Sequence, residues 1–474
     1  MSYNFGYQEY KLIRLFMNKV FNKIEATDRK ISGRSGLGLF IEYVRNTKFI
    51  KYFKNAIGDV KGSSKGLSEE GFISQMLAYF IDGTDMSISG FDRKKRDKGY
   101  AAAIGNEVEE MASSHQIKRF FRNLRSIGNL VYRKILHKLF VWRLNQEEPD
   151  YIELRADVMP MDNDDAKNRE KATPTYKGKK GFAPYQVTWD GYIVDAIFRE
   201  GKKHSNNGND FVKSIGKLVK LIRDEYRDVP IIVLSDTGFE SEFNFKFFDE
   251  KLGIHFVSSG KKHEYVQEIG QSHLENGDKY SKGREIWEYT NFGLLRKSWD
   301  NWWRAIYTRR LSDKDGQKCI GWGKTESLIF TNIGQNKELD NKLQKAAGEN
   351  YLSPGNIIEL FHSQGKHELI HRSLKEFATK EQLPFKGFGM NRAYYYIMLF
   401  SYFLFESYKS DISKETDLST VKSMYPDTFR RKFIDFAGNI VKTGNEIILK
   451  IVDRIYKGLR IDKLWELCQN SIPI

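Results

Sequence analysis

The sequence predicts a mixed α/β protein, and three observations carry that prediction. Residues 1–145 place apolar residues three and four apart, as in FIEYVRNTKFIKYF, which is typical of amphipathic helices. From Tyr151 the period becomes two, because YIELRADVMP alternates apolar and polar residues as a half-buried strand does. Asp190-Gly191, between APYQVTW and YIVDAIF, predicts a tight hairpin turn. We therefore expect an all-helical N-terminal domain followed by a core built on a sheet.

The order of the later elements refines this expectation. After the three antiparallel strands come an amphipathic helix, NDFVKSIGKLVKLIRDEY, and the apolar run PIIVLSD, which is typical of a strand buried on both faces. That order is ribonuclease-H-like. Residues 261–350 hold five of the eight tryptophans and strand-like segments such as ESLIFTNI, which predicts a β-rich insertion. The predicted ribonuclease-H-like core is therefore 146–260 together with 351–474, preceded by a helical domain at 1–145.

One long helix is predicted after the insertion. SPGNIIELFHSQGKHELIHRSLKEF returns to helical spacing, with Ser353 as the N-cap and Pro354 at the first helical position. Further on, AYYYIMLFSYFLF is too uniformly apolar for a surface helix. We expect it to be buried behind the sheet.

Charge and composition favour a nucleic-acid partner. The 474 residues include 77 Lys and Arg against 62 Asp and Glu, a net charge of +15, which attracts polyanions. The longest apolar run, Ala393 to Phe405, is shorter than the ~20 residues that span a bilayer, so no membrane partner is expected. The N-terminus lacks a secretory signal, which predicts a cytoplasmic protein. Cys319 and Cys468 are the only cysteines, so any metal must be held by oxygen or histidine.

A stretch from Met111 to Gln146 contains eight Lys and Arg residues and no Asp or Glu. Ser113 and Gln116 predict a capping-box helix start, where backbone donors could meet a phosphate. A helix, a short turn and a basic helix resemble a helix-turn-helix, although a solvated helix face is the alternative. The DNA contacts expected here are Lys118, Arg119, Arg122 and Arg125, and those expected in the basic loop YKGKKG are Lys179 and Lys180.

Three carboxylates are candidates for metal-dependent chemistry. Asp157 lies near the end of the first strand, Asp236 ends PIIVLSD, and Glu368 lies in the later helix. Two Mg²⁺ ions can stabilise both the attacking and the leaving oxygen of a phosphodiester, and Mg²⁺ prefers oxygen ligands. An isolated Asp at a strand end is more often a turn residue or a helix cap. Three other aspartates are alternatives to Asp157 as the metal-holding carboxylate, but they lie beyond Pro160, where the strand should have ended. They are Asp162, Asp164 and Asp165.

VLSDTGF, the long insertion and FHSQGKHELIHRSLK together resemble the DDE transposases of bacterial insertion sequences. In that family a Tyr, an Arg, the catalytic Glu and a Lys share one helix face, and the matching residues here are Phe361, Gln364, Glu368 and Lys375. The resemblance implies that Asp157, Asp236 and Glu368 are catalytic and hold Mg²⁺, for which Mn²⁺ can substitute. It implies DNA contacts for Phe361, Gln364 and Lys375.

The resemblance also implies which partners the protein binds, and its departures from the family pattern leave a second function open. A protein of this family would bind terminal inverted repeats and target DNA, as a homodimer, and would cut and rejoin the DNA. Phe361 lacks the Tyr hydroxyl, and Gln364 cannot make the bidentate phosphate contact of Arg. The alternative is therefore a catalytically impaired DNA-binding protein descended from a transposase.

Two further motifs have competing interpretations. His367, Glu368 and His371 form a literal HExxH, the zinc motif of metalloproteases, for which Glu406 would be a distal ligand. The alternative places both histidines on a helix surface near DNA. Trp299, with Trp302 and Trp303 as rivals, is expected to stack on an unpaired base, or else to fill the core of the insertion. The run Arg430 to Lys432 is interpreted as a DNA contact or as a solvated face.

Overall fold

The computed structural model describes residues 20–21, 23–164, 168–319, 326–363, 365–378 and 382–474, with the backbone alone for 365–368. It has the expected mixed α/β fold. The strands are β1 (Lys30–Ser32), β2 (Ile152–Val158), β3 (Met161–Asp162), β4 (Thr173–Pro174), β5 (Lys180–Phe182), β6 (Tyr185–Trp189), β7 (Tyr192–Ile197), β8 (Ile231–Ser235), β9 (His255–Ser259), β10 (Asp278–Lys282), β11 (Glu285–Leu294), β12 (Trp303–Ser312), β13 (Glu326–Thr331), β14 (Gly438–Thr443) and β15 (Glu446–Ile451).

Nine of these strands form the central sheet, in the order β10-β11-β12-β13-β9-β8-β2-β6-β7. β6 is antiparallel to β2 and to β7, whereas β8 runs parallel to both β2 and β9. The five strands β7-β6-β2-β8-β9 therefore have the predicted ribonuclease-H-like arrangement. The hairpin between β6 and β7 turns at Asp190 and Gly191, which both have positive φ, as the sequence indicated.

The β-rich insertion extends this same sheet. β13 pairs with β9 through Thr331 and Val257, and β12, β11 and β10 follow outward by antiparallel pairing. The range 261–350 also contains two helices, so it is β-rich but mixed. The insertion thus extends the sheet beyond β9 and leaves the C-terminal ends of β2 and β8 accessible.

The longer helices surround the sheet. In chain order they are α1 (Gly36–Asn46), α2 (Phe49–Ile57), α3 (Glu69–Asp82), α4 (Gly90–Lys94), α5 (Lys98–Ala103), α6 (Ser114–Asn123), α7 (Asn129–Glu147), α8 (Asp210–Glu225), α9 (Glu242–Lys246), α10 (Glu264–Leu274), α11 (Lys337–Ala347), α12 (Pro354–His362), α13 (Gly365–Ala378), α14 (Phe388–Glu415), α15 (Pro426–Phe429), α16 (Asp453–Gly458) and α17 (Ile461–Gln469).

The apolar helix α14 is the centre of the hydrophobic core. Its side chains from Ala393 to Phe405 are buried, and it packs against β7 and against α3, α6 and α7 of the N-terminal part. The core is continuous from Phe40 through Phe140 and Ile152 to Phe400. The prediction of a buried helix behind the sheet is confirmed, and no helix in the described ranges is long and apolar enough to cross a membrane.

Two expectations about secondary structure are wrong. Residues 1–145 are not entirely helical, because β1 pairs with β14, and β14 with β15, in a separate three-stranded sheet. The long helix is divided, since α12 ends at His362 and α13 begins at Gly365. Between them, the Ser363 hydroxyl accepts a hydrogen bond from Arg155 at 2.7 Å and donates one to Leu360 O at 2.6 Å. Phe361 and Glu368 therefore lie on different helices.

Candidate active site

Asp157 and Asp236 lie side by side at one edge of the sheet. The parallel strands β2 and β8 pair through Ala156 and Ser235, and each aspartate is the next residue. Asp157 Oδ1 accepts the Val158 N–H at 2.6 Å, and Asp236 Oδ1 accepts the Thr237 N–H at 2.7 Å. The Asp157 side chain is 35% exposed, and Asp236 is exposed. Both carboxylates are thus accessible to a ligand, as metal-holding groups must be.

The phenol of Tyr176 lies within electrostatic reach of both carboxylates. Tyr176 is an exposed residue in the turn between Thr175 and Lys179, which is closed by a hydrogen bond from Thr175 N to Lys179 O at 2.9 Å. Partial burial raises the pKa of Tyr176, and the negative charges of Asp157 and Asp236 raise it further. The basic loop that contains Tyr176 therefore lies near the ends of β2 and β8.

Helix α13 approaches the same edge through His371. The Nδ1 atom of His371 is 3.5 Å from Asp157 Oδ2. Burial, reinforced by the charges of Lys375 and Lys177, lowers the pKa of His371 to about 4. The ring is therefore neutral at neutral pH and is not a counter-ion for Asp157. Glu368 precedes His371 by less than one helical turn, so the backbone of Glu368 lies near the two aspartates. The side chain of Glu368 lies outside the described residues.

The two lysines whose charges lower the pKa of His371 come from different segments. Lys375 is one helical turn further along α13, and Lys177 follows Tyr176 in the basic loop YKGKKG. The sequence had singled out Lys179 and Lys180 in that loop, and it missed Lys177. Lys179 Nζ instead forms an ion pair with Asp162 Oδ2 at 2.8 Å, and Lys180 is exposed.

The rivals of Asp157 are less well placed. Asp162 lies in β3, which belongs to the small β3-β5-β4 sheet and not to the central one. The hydrogen bond from Lys179 is the main cause that lowers the pKa of Asp162. Asp164 accepts the Lys180 N–H at 3.2 Å, and Asp165 lies outside the described residues. Asp157 is therefore the better candidate at this edge.

The donor set suits a hard divalent cation. Two accessible carboxylates at adjacent strand ends are ligands that Mg²⁺ and Mn²⁺ accept, and both ions can complete their shells with water and phosphate. Among the described side chains no group of three or more His, Cys, Asp or Glu residues is arranged around a metal position. The third carboxylate expected from the sequence belongs to Glu368.

The zinc interpretation gains no support from the described part of the chain. Glu406, the distal ligand it would need, is only 13% exposed and forms an ion pair with Lys409 Nζ at 2.9 Å. His371 lies against Asp157, and His367 falls among the residues whose side chains are not described.

Two aromatic residues expected at the DNA are packed inside the protein. Phe361 is 8% exposed and belongs to an apolar cluster with Ile232 and Leu234, so its ring would reach DNA only if α12 left the sheet. Trp299 packs against Phe245 and Phe330, with ring centroids 5.6 and 5.1 Å away. Trp299 thus contributes to the core of the insertion. Gln364 lies outside the described residues.

Trp302 differs from its two neighbours. Its side chain is 60% exposed, whereas Trp303 is buried. An indole that stacks on a base must expose a face, so Trp302 is the accessible tryptophan of the three.

The basic stretch has a different arrangement from a helix-turn-helix. α7 is mostly buried and packs against β7, with Arg133 paired to Asp195 at 2.6 Å, so it is not a free recognition helix. The capping box of Ser113 and Gln116 is confirmed, but Asp92 accepts hydrogen bonds from both the N–H and the hydroxyl of Ser114. A carboxylate therefore already occupies the place expected for a phosphate. The exposed basic side chains in and directly after α6, called the α6 basic face, are Lys118, Arg119, Arg122 and Arg125.

Neither interpretation of Arg430 is correct. Its guanidinium is buried and donates to Ile81 O and Phe80 O at 2.9 Å each and to Phe377 O at 2.7 Å. Arg430 therefore joins the C-terminal end of α13 to the C-terminal end of α3. A sequence run of Arg-Arg-Lys could not reveal carbonyl groups from such distant segments.

Comparison with known proteins places the chain in a family. A family model described as "Transposase DDE domain group 1" matches residues 18–469. No curated protein matches the chain. Among solved structures, the piggyBac transposase synaptic complex with hairpin DNA, determined by cryo-EM, is similar to it, with a TM-score of 0.39 and 13% sequence identity over 93% of this chain and 85% of that one. Because the family model spans nearly the whole sequence, the chain belongs to the family of transposases with a DDE domain.

Proposed function

We propose that this protein cuts and rejoins DNA at the ends of an insertion sequence, with Asp157, Asp236 and Glu368 as the catalytic carboxylates. The observation that carries the proposal is the position of Asp157 and Asp236 at the ends of adjacent parallel strands, with His371 of α13 beside Asp157. The three carboxylates would hold Mg²⁺, or Mn²⁺ in its place. The ions supply stabilisation of the attacking and leaving oxygens of the phosphodiester.

The surrounding side chains have complementary tasks. Lys177 and Lys375 place positive charge around His371, where a DNA phosphate would approach the aspartates. Water hydrolyses the phosphodiester at the element end, and the freed 3′ hydroxyl then attacks target DNA. The buried, neutral ring of His371 occupies space beside Asp157 and limits the directions from which water can reach that carboxylate.

Lys177 provides a test of phosphate positioning. Lys177→Gln removes one charge without removing a carboxylate, so cleavage of an element-end duplex in Mg²⁺ is expected to slow by about tenfold, the effect of ~1.4 kcal/mol at the transition state. Single-turnover cleavage measures this rate. Lys345→Gln, an exposed lysine on α11, is the matched control and should leave the rate unchanged. Equal rates for both variants would remove Lys177 from the site.

The α6 basic face is proposed to contact the terminal inverted repeats. The double variant Arg119→Gln/Arg122→Gln removes two exposed charges, so the slope of log K against log salt should become shallower by roughly 2, since each phosphate contact contributes about 0.9. Fluorescence anisotropy with labelled duplex across a salt series measures the slope. Lys342→Gln/Lys345→Gln on α11 removes the same charge elsewhere, and an identical slope for the two double variants would exclude the α6 basic face.

A catalytically impaired, DNA-binding descendant is the second candidate. The observation that favours it is Phe361, which stands in place of the family's Tyr and is buried against the sheet. Tight binding to the element's inverted repeats, with no cleavage in either Mg²⁺ or Mn²⁺, would support this candidate and contradict the first.

A further inference from the structure

The C-terminal hairpin presents an unusual edge strand. In the described part of the chain, β15 pairs with β14 on one side and ends the β1-β14-β15 sheet on the other. Ile447 is 71% exposed and Ile448 is 37% exposed in this strand. An exposed strand edge with apolar side chains is a template for pairing with another strand.

The hairpin geometry fixes which backbone groups point outward. Thr443 and Glu446 are paired across a two-residue turn, and in such a turn the flanking pair exchanges hydrogen bonds. Alternation along an antiparallel ladder then directs the N–H and C=O groups of Ile447, Leu449 and Ile451 to the outer edge. These are the groups that a docking strand must satisfy.

The sequence of β15, EIILKI, is complementary to itself in one antiparallel register. If a two-fold axis passes through Ile448, that residue faces its own copy, and Ile447 faces Leu449. Ile447 and Leu449 both have outward backbone groups, so Ile447 of one copy and Leu449 of the other can exchange hydrogen bonds. Glu446 then faces Lys450, and the symmetry forms this opposite-charge pair twice.

We propose that β15 pairs with β15 of a second copy of this chain, which joins the two three-stranded sheets into a continuous six-stranded one. The outward backbone groups and the exposed isoleucines fit this register, and the doubled Glu446–Lys450 pair selects it among the antiparallel alternatives. This interface goes beyond the proposed chemistry, and it does not depend on the carboxylates of the active site.

Charge reversal tests this register. Glu446→Lys places like charges opposite each other twice, so the dimer dissociation constant should rise by about tenfold or more, because each cross-strand charge pair contributes up to ~1 kcal/mol. Lys450→Glu should have the same effect. The double variant Glu446→Lys/Lys450→Glu restores both pairs and should return the dissociation constant to the wild-type value. Sedimentation velocity of the full-length protein over a concentration series measures each constant.

The control is Glu349→Lys, which reverses an exposed charge elsewhere and should leave the dimer unchanged. A wild-type protein that stays monomeric at all concentrations would overturn the proposal, as would a dimer that neither single reversal weakens. Failure of the double variant to recover would overturn the register.

Discussion

Replacement of Asp236 by Asn is expected to reduce DNA cleavage in Mg²⁺ by about a thousandfold or more. The substitution keeps the size of the side chain but removes the negative charge, and a lost metal ligand costs several kcal/mol of transition-state stabilisation. Asp236 is exposed and caps only a short turn, so the variant should fold normally. Single-turnover cleavage of an element-end duplex measures the rate.

Asp228→Asn is the matched control for this experiment. Asp228 lies just before β8, its side chain is 78% exposed, and its nearest cation is Lys342 at 3.7 Å. The same substitution there should leave cleavage within about twofold of wild type, since exposed ion pairs contribute little. Full activity of Asp236→Asn, with the control equally active, would contradict a catalytic role for Asp236.

Arg430→Ala is expected to lower the free energy of unfolding by about 3–5 kcal/mol, because it leaves buried carbonyl oxygens of α3 and α13 without donors. The Arg430 side chain is 5% exposed, so water cannot replace its hydrogen bonds in the folded protein. Urea denaturation followed by circular dichroism measures the change as a shift of the midpoint.

Arg431→Ala provides the comparison, since Arg431 is the adjacent residue and is exposed. Its effect should stay within about 0.5 kcal/mol, as is usual for surface substitutions. If the two variants unfold at the same urea concentration, Arg430 does not hold α13 against α3.

The sequence was informative where structure follows from local periodicity. The two-residue alternation located β2, the Asp190-Gly191 pair located the hairpin, and the apolar run before Asp236 located β8. Parallel pairing of β2 with β8 then followed from the element order. Asp157 and Asp236 were brought together by this reasoning because both lie at strand ends, where a short stretch of sequence determines the position.

The features that were missed depend on contacts between distant segments. Asp92 occupies the N-terminus of α6, and Arg430 caps helices that lie far from it in sequence. The sheet of β1, β14 and β15 joins the two ends of the chain. The division between α12 and α13 coincides with a hydrogen bond from Arg155 to Ser363, which helical periodicity cannot reveal.

The site itself was predicted in part. His371 was weighed as a zinc ligand or a surface residue, whereas it lies against Asp157. Lys177 was passed over in favour of its neighbours in the same loop. Neither placement follows from local sequence, because α13 packs against the distant helices α3, α14 and α15, and the loop joins β4 and β5 of the small sheet. Residue types alone do not encode those contacts.

Iron-promoted cleavage of the polypeptide tests the central claim most directly. When hydrogen peroxide and ascorbate are added, Fe²⁺ that replaces Mg²⁺ reduces the peroxide to hydroxide and a hydroxyl radical at its own position, and ascorbate returns Fe³⁺ to Fe²⁺. Mass spectrometry of the fragments then maps the backbone around the metal without reference to DNA cleavage. We expect cuts near Asp157, near Asp236 and within α13 around Glu368, all suppressed by excess Mg²⁺ and lost in Asp236→Asn. Cuts confined to other segments, or cuts at these three places that Mg²⁺ does not suppress, would contradict the assignment.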